Sequence, residues 1–339
     1  MKSAPTLWRQ RSLCAALLLP AAALFRSLAA LRRGLYRHDI LRRERLPVPV
    51  IIVGNIAVGG SGKTPAALWL VEALRKAGRH PGIVSRGYGG RAAAGDTPHL
   101  VAADPDPDVH GDEPVLLARE SGCPVAVGRD RPAAVRALLA AHPECDVIIS
   151  DDGMQHYRLA RTVEIAVVDE QALGNCWPLP SGPLREPLAR LAGVDLILAH
   201  GELSPRLRAQ TGAVPIASMR LVGERFRSLT RPDQWCGAEA FAGKKVHALA
   251  GIGQPQRFFD QLTTMGLDII PHPFPDHYRY RADDFKSAPG ETWLMTSKDA
   301  VKCRFFAPPD AWELPVRAVI DAGAIAPILE KLDDGRQTA

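Results

Sequence analysis

The chain contains no CxxC pair. Its six cysteines (Cys14, Cys123, Cys145, Cys176, Cys236 and Cys303) are scattered, which excludes a zinc ribbon or disulfide scaffold and leaves reduced thiols as the expectation. None of the ten histidines sits in an HExxH pair, so nothing points to a bound transition metal. No apolar run reaches the roughly 20 residues of a bilayer span. The longest, residues 13–25, is broken by Pro20 and ended by Arg26. There is no internal repeat, and Gly and Pro, 29 of each among 339 residues, stay below the level of low-complexity chains. With 46% hydrophobic and 23% charged residues, what remains is a globular chain with room for about two domains.

The net charge of +5 is unevenly placed. Residues 1–46 carry ten Lys/Arg against Asp39 and Glu44, which is +8 and leaves the remainder at −3. The mildly acidic body argues against a nucleic-acid partner, and the positive field belongs to the N-terminal arm. After the apolar run, Leu28, Leu31 and Leu35 recur at helical spacing among arginines. A basic helix with an apolar stripe suits the headgroup layer of an anionic membrane surface. The alternatives are a signal peptide and a helix packed into the core.

From residue 46 short β-branched runs alternate with Ala/Leu-rich stretches. Strands are expected at 48–55, 81–87, 124–128, 146–150, 164–169 and 195–200, and helices at 63–77, 114–122 and 131–141. This alternation predicts an α/β fold, a P-loop NTPase-type parallel sheet sandwich covered on both faces. A polar stretch near 218–232 marks a boundary, after which KKVHALAGIG, a helix at 255–265, DIIPHPF, TWLMTS and PVRAVI form a second, smaller α/β domain. The expected parts are a membrane-surface helix region at 1–45, a P-loop domain at 46–220 and the smaller domain at 221–339.

The first strand runs into Ala57-Val58-Gly59-Gly60-Ser61-Gly62-Lys63-Thr64. Small residues let successive backbone N–H groups turn around phosphate oxygens, Lys63 adds charge at the β/γ-phosphates, and the Thr64 hydroxyl reaches Mg²⁺. Ala57 departs from the pattern, which asks for glycine there. A nucleoside triphosphate is the expected ligand. Asp151 and Asp152 follow an apolar strand and are candidates to hold the metal, with Gln155 near the same mouth of the sheet. Asp112 and Glu113 begin a helix, where they read equally as an ordinary first turn or as a base beside a metal-facing acid. Arg86, in Ser85-Arg86-Gly87-Tyr88-Gly89-Gly90, could approach the phosphates. Gly251-Ile252-Gly253 lacks the rest of a dinucleotide fingerprint.

GNIAVGGSGKTP (54–65), SRGYGG (85–90), GDEP (111–114), DDGMQH (151–156), LPSGPLREP (179–187), FPDHYRY (274–280) and TSKDAVK (296–302) together resemble the tetraacyldisaccharide 4′-kinase family, the lipid A 4′-kinases of Gram-negative bacteria. The resemblance spans most of the chain in family order. It implies transfer of the ATP γ-phosphate to the 4′-hydroxyl of a tetraacylated glucosamine disaccharide 1-phosphate, with ATP and Mg²⁺ as cofactors. It also implies two α/β/α domains joined by a two-stranded linker, and a peripheral or monotopic place on the cytoplasmic face of the inner membrane, with no obligate protein partner. On the matching positions it makes Asp112 catalytic with His277 as partner. It puts Glu113, Asp151, Asp152 and Gln155 near Mg²⁺ and the phosphates, and Arg185 in a loop associated with the acceptor. It also relieves the Ala57 departure. Asp112 and His277 would then meet in a cleft between domains. Two other readings compete. A P-loop GTPase or metallochaperone would read guanine through [NT]KxD, but Ser297-Lys298-Asp299 and Lys331-Leu332-Asp333 lack the spacing or the preceding residue. A kinase of a soluble metabolite would leave the arm merely structural.

Overall fold

The computed structural model describes residues 7–95, 97–102, 105–285 and 290–337. The chain forms two sheets. The first holds β1 (Val50–Gly54), β2 (Pro81–Ser85), β3 (His99–Leu100), β4 (Val125–Val127), β5 (Val147–Asp151), β6 (Val163–Asp169), β7 (Leu196–His200) and β8 (Ile216–Val222). The second holds β9 (Phe226–Ser228), β10 (Trp235–Cys236), β11 (Lys245–Ala250), β12 (Asp268–Pro273), β13 (Trp293–Thr296) and β14 (Ala311–Leu314). A last strand, β15 (Arg317–Ile320), returns to the first sheet, whose order is β15-β8-β7-β6-β1-β5-β2-β4-β3. All its pairings are parallel except those of β3 and β15 at the edges.

The expected parallel sheet follows from side-chain alternation. Every residue of β1 is buried, with Val50 and Ile52 in one core and Ile51 and Val53 in the other. β5 does the same with Ile148 against Val147 and Ile149. A strand buried on both faces needs helices on both faces. The helix Lys63–Lys76 covers one with Ala66, Ala67, Leu70, Val71 and Leu74, and Arg131–Ala141 covers the other with Ala134, Val135 and Leu138.

The second sheet, in the order β10-β9-β14-β13-β11-β12, is parallel from β12 to β14. Pro271 and Pro273 lie on β12, an edge strand, where a missing N–H disrupts no ladder. The expectation that 221–339 is one unit needs correction. PVRAVI is not a strand of the second sheet: β15 pairs antiparallel with β8, and Ala324, Ile328 and Leu332 then pack with Leu70 and Leu74 in the first core. The apolar face of the helix Ala326–Gln337 has its partner there. The chain therefore crosses between the sheets twice, after β8 and before β15, and the crossings run side by side at Gly223, Pro315 and Val316.

The N-terminal helix Leu19–Arg37 buries only Ala22. Leu24, Leu28 and Leu31 are exposed, as are Leu13, Leu17 and Ile40 beside it. The stripe does not enter the core. The arm is tied down elsewhere: Trp8 Nε1 donates to Pro180 O (2.9 Å), Arg33 pairs with buried Glu186 (3.4 Å), and Arg32 donates to Gln155 O (3.3 Å). Among the described residues no helix is long and apolar enough to cross a membrane.

Candidate functional site

β1 ends at the point where the strand order divides, with β5 on one side and β6 on the other, the usual place for a ligand in an open α/β sheet. The loop from Ala57 to Gly62 leads into the helix Lys63–Lys76. Gly62, its N-cap, has φ +86°, a conformation that favours glycine. Asn55 holds the loop inward: its Oδ1 accepts from Ala57 N (2.5 Å) and its Nδ2 donates to Ser61 Oγ (2.8 Å). Ala57 itself is fully buried in the core and bridges to Leu184, an extended placement that calls for no glycine. The 179–187 segment runs along this entry, with Val58 N donating to Pro183 O (2.9 Å) and Arg185 N to Ile56 O (2.8 Å). Arg185 is thereby fixed beside the loop.

The register Val53↔Asp151 brings the end of β5 level with the start of the loop. Lys63 Nζ lies 3.7 Å from Asp152 Oδ1, and Arg185 Nη1 lies 2.8 Å from Asp152 Oδ2 and 3.3 Å from Gln155 Oε1. Burial would raise the Asp152 carboxyl, but Lys63 and Arg185 outweigh it and hold the group at about 2. Asp151 goes the other way. Burial, then the carboxylates Glu113 and Asp152, push it up to about 7 against Lys63 and Arg131. Asp151 Oδ1 is buried and has no hydrogen-bond partner among the described residues. A buried carboxylate crowded by two others is a place for a cation. No three of these acids converge as a ready chelate among the described residues. Mg²⁺ keeps several waters and takes one or two carboxylates plus phosphate oxygens, so its binding requires no such preformed chelate.

Asp112 and Glu113 do occupy the first turn of the helix Asp112–Ser121, and they also face the second unit. Gly111 makes the approach possible. Its φ is +89°, and a methyl there would lie 2.6 Å from Tyr88 O in the SRGYGG loop. Asp112, buried, accepts from His277 Nδ1 at 3.1 Å, although the two are 165 residues apart. Burial would raise Asp112, yet the His277 hydrogen bond and the Lys298 charge bring it below the usual carboxylate range. The same hydrogen bond raises His277 against its own desolvation. His277 sits at φ +59°, and Tyr88 meets its ring edge-on at 5.0 Å.

Lys298 enters the sequence reading only inside the TSKDAVK segment and a failed guanine motif, with no role assigned, yet it completes this cluster. Its Nζ lies 3.1 Å from Glu113 Oε1, 3.3 Å from Asp276 Oδ1 and 4.0 Å from Asp112 Oδ2. Burial disfavours the ammonium, but Glu113, Asp112 and Asp276 outweigh it and hold it protonated well above the ordinary lysine range. The signal that could have found it is the polar T-S-K-D run that follows an apolar strand, as Asp152 follows β5. Arg131 was also missed: it is buried and donates to Asp151 O (2.8 Å). Gly253, dismissed as a weak motif, abuts the P-loop, since a methyl there would come within 3.2 Å of Gly60 N. Behind the polar cluster, Val115 and Leu116 pack on Val301 of the helix Ser297–Cys303. Arg86 stands exposed after β2 and joins none of these contacts, although its charge acts on Arg131.

The arrangement brings together a P-loop turn, the strand-end carboxylates Asp151 and Asp152, and, beside Glu113, the Asp112–His277 contact between residues of the two units. Residues 14–333 match the family described as tetraacyldisaccharide-1-P 4′-kinase. The tetraacyldisaccharide 4′-kinase of Azoarcus sp. (strain BH72) is 63% identical, covering 100% of this chain and 98% of that protein. The protein of the same name from Aromatoleum aromaticum is 60% identical over 100% of this chain and 99% of its own length. The crystal structure of LpxK from Aquifex aeolicus in complex with ATP matches with a TM-score of 0.78 at 26% identity, over 94% of this chain and 100% of that one.

Proposed function

Because the chain belongs to the tetraacyldisaccharide-1-P 4′-kinase family, we propose a division of labour among its residues for the reaction that this membership assigns. The protein is an ATP-dependent kinase of lipid A biosynthesis, transferring the γ-phosphate of ATP to the 4′-hydroxyl of a tetraacylated glucosamine disaccharide 1-phosphate. The loop from Ala57 to Thr64 holds the triphosphate, with Lys63 as its fixed charge. Thr64, Glu113, Asp151 and Asp152 are the residues that would hold Mg²⁺, which when bound would neutralise the charge of the transferring phosphate.

Asp112 accepts the hydroxyl proton. A carboxylate of lowered pKa is a weak base toward an alcohol, but phosphoryl transfer passes through a loose transition state in which the hydroxyl need not ionise first. Asp112 therefore positions the hydroxyl and takes its proton as the new bond forms, while His277 fixes the carboxylate's orientation and shares the charge change. Arg185 and Gln155 face the acceptor side, and Arg86 is the exposed arginine available to it. The observation that carries the reading is the 3.1 Å contact of His277 with Asp112, which joins the second unit to the helix that also bears Glu113. Incubation with γ-labelled ATP and the lipid disaccharide should yield labelled bisphosphorylated lipid. Label released only as inorganic phosphate would sink the assignment.

The acceptor lies in a membrane, and the N-terminal arm is the part built to meet it. Exposed Leu13, Leu17, Leu24, Leu28 and Leu31 supply the apolar contact and the flanking arginines the attraction to anionic lipid. On this reading the enzyme works as a peripheral or monotopic protein on the cytoplasmic face of the inner membrane. Removing residues 1–40 should release it from phosphatidylglycerol vesicles while nucleotide binding persists. Binding of the full chain should weaken, without vanishing, as salt screens the +8 arm. Complete co-sedimentation of the truncated chain at low salt would locate the membrane contact elsewhere.

A further inference from the structure

We propose that Asp299 is a positioning residue for phosphoryl transfer, a buried carboxylate that ties together the three turns through which the second unit faces the nucleotide site. The proposal rests on the catalytic reading of Asp112 and His277 above. Asp299 is fully buried, and its two oxygens serve donors from three separate segments. Oδ2 accepts from Gly251 N (3.0 Å) and Thr296 Oγ1 (2.6 Å), while Oδ1 accepts from Tyr280 Oη (2.9 Å) and pairs with Lys302 Nζ (3.0 Å). Each segment ends at the cleft. The turn after Gly251 carries Gly253 against Gly60 of the P-loop. The loop that Tyr280 closes carries Asp276 and His277. Thr296 caps the short helix that bears Lys298.

Helix capping alone does not account for this. The Thr296 hydroxyl already accepts from Asp299 N (3.2 Å), the usual cap bond, without any help from the Asp299 carboxylate. A carboxylate taken wholly out of water is costly unless several donors meet it, and here the donors come from the elements that must share one geometry. Gly251 is packed so closely on the Tyr280 hydroxyl that a side chain there would displace it. Lys302 lies 4.8 Å above the Tyr280 ring, closing the cluster from the other side. A shift of the Tyr280 hydroxyl therefore moves the loop holding His277, and with it the orientation of Asp112.

Tyr280→Phe removes only the hydroxyl tie and keeps the ring contacts with Phe274 and Tyr278. It should lower kcat about tenfold, with the KM for ATP within about twofold and the melting temperature nearly unchanged. In a His277→Ala background it should cost at most about twofold more, because the tie acts through His277. A purely structural contact would give multiplicative losses. Asp299→Asn should be slower still; it leaves Lys302 without its charge partner, and if that variant fails to fold Tyr280→Phe decides. Unimpaired turnover in Tyr280→Phe, or full multiplicativity beside a slow His277→Ala, overturns the proposal alone. Full activity in His277→Ala overturns it together with the reading beneath it.

Discussion

Lys63→Ala is expected to lower kcat by about two to three orders of magnitude while leaving the fold intact. Removing one preorganised charge aimed at developing negative charge costs about 3–4 kcal/mol of transition-state stabilisation. The fold should survive because Lys63 is the first residue of its helix, outside the apolar face, and Asp152 keeps its second cation, Arg185. Steady-state kinetics beside a thermal melt check both halves. Near-normal turnover would mean that the loop after β1 is not where the triphosphate sits.

The pair Asp112 and His277 should behave as one unit. Each alanine substitution should reduce kcat by about 10²–10³, more than it raises the KM for ATP, since general acid–base groups contribute on that scale. The double variant should lose far less than the product of the single losses, because once Asp112 is gone His277 has nothing to orient. Both variants should remain folded. Asp112→Ala leaves Lys298 with Glu113 and Asp276, and His277 is partly exposed. Multiplicative losses would assign the two side chains independent tasks.

How much of this was legible depended on distance along the chain. The P-loop, its strand and its helix are contiguous, so spacing and apolar periodicity placed them almost to the residue. Helix 131–141 is reproduced at both ends. Asp112 with His277 was different: spacing left Asp112 open between a first turn and a base, and only the family resemblance joined it to a histidine in the other unit. Lys298 and Asp299, although inside the TSKDAVK segment, received no role because neighbours in sequence say nothing of what faces them. Their meaning comes from Glu113, Asp276, Tyr280 and Gly251, brought in by the second sheet. Strands β9, β10 and β14 are too short and mixed to show a period. The return of β15 had no local mark either, since a strand of four residues, three of them apolar, does not say which sheet it joins.

That return has a consequence for how the molecule is made. Synthesis proceeds from the N-terminus, and domains generally fold as they emerge. Here the nucleotide-binding sheet comes first but leaves two gaps: the outer edge of β8, and the surface over Leu70 and Leu74 that Ile328 and Leu332 cover. Both are filled by residues translated after the whole second sheet. The earliest part of the enzyme to appear on the ribosome is thus the last to be sealed, and the second unit is held at both ends by the body it completes.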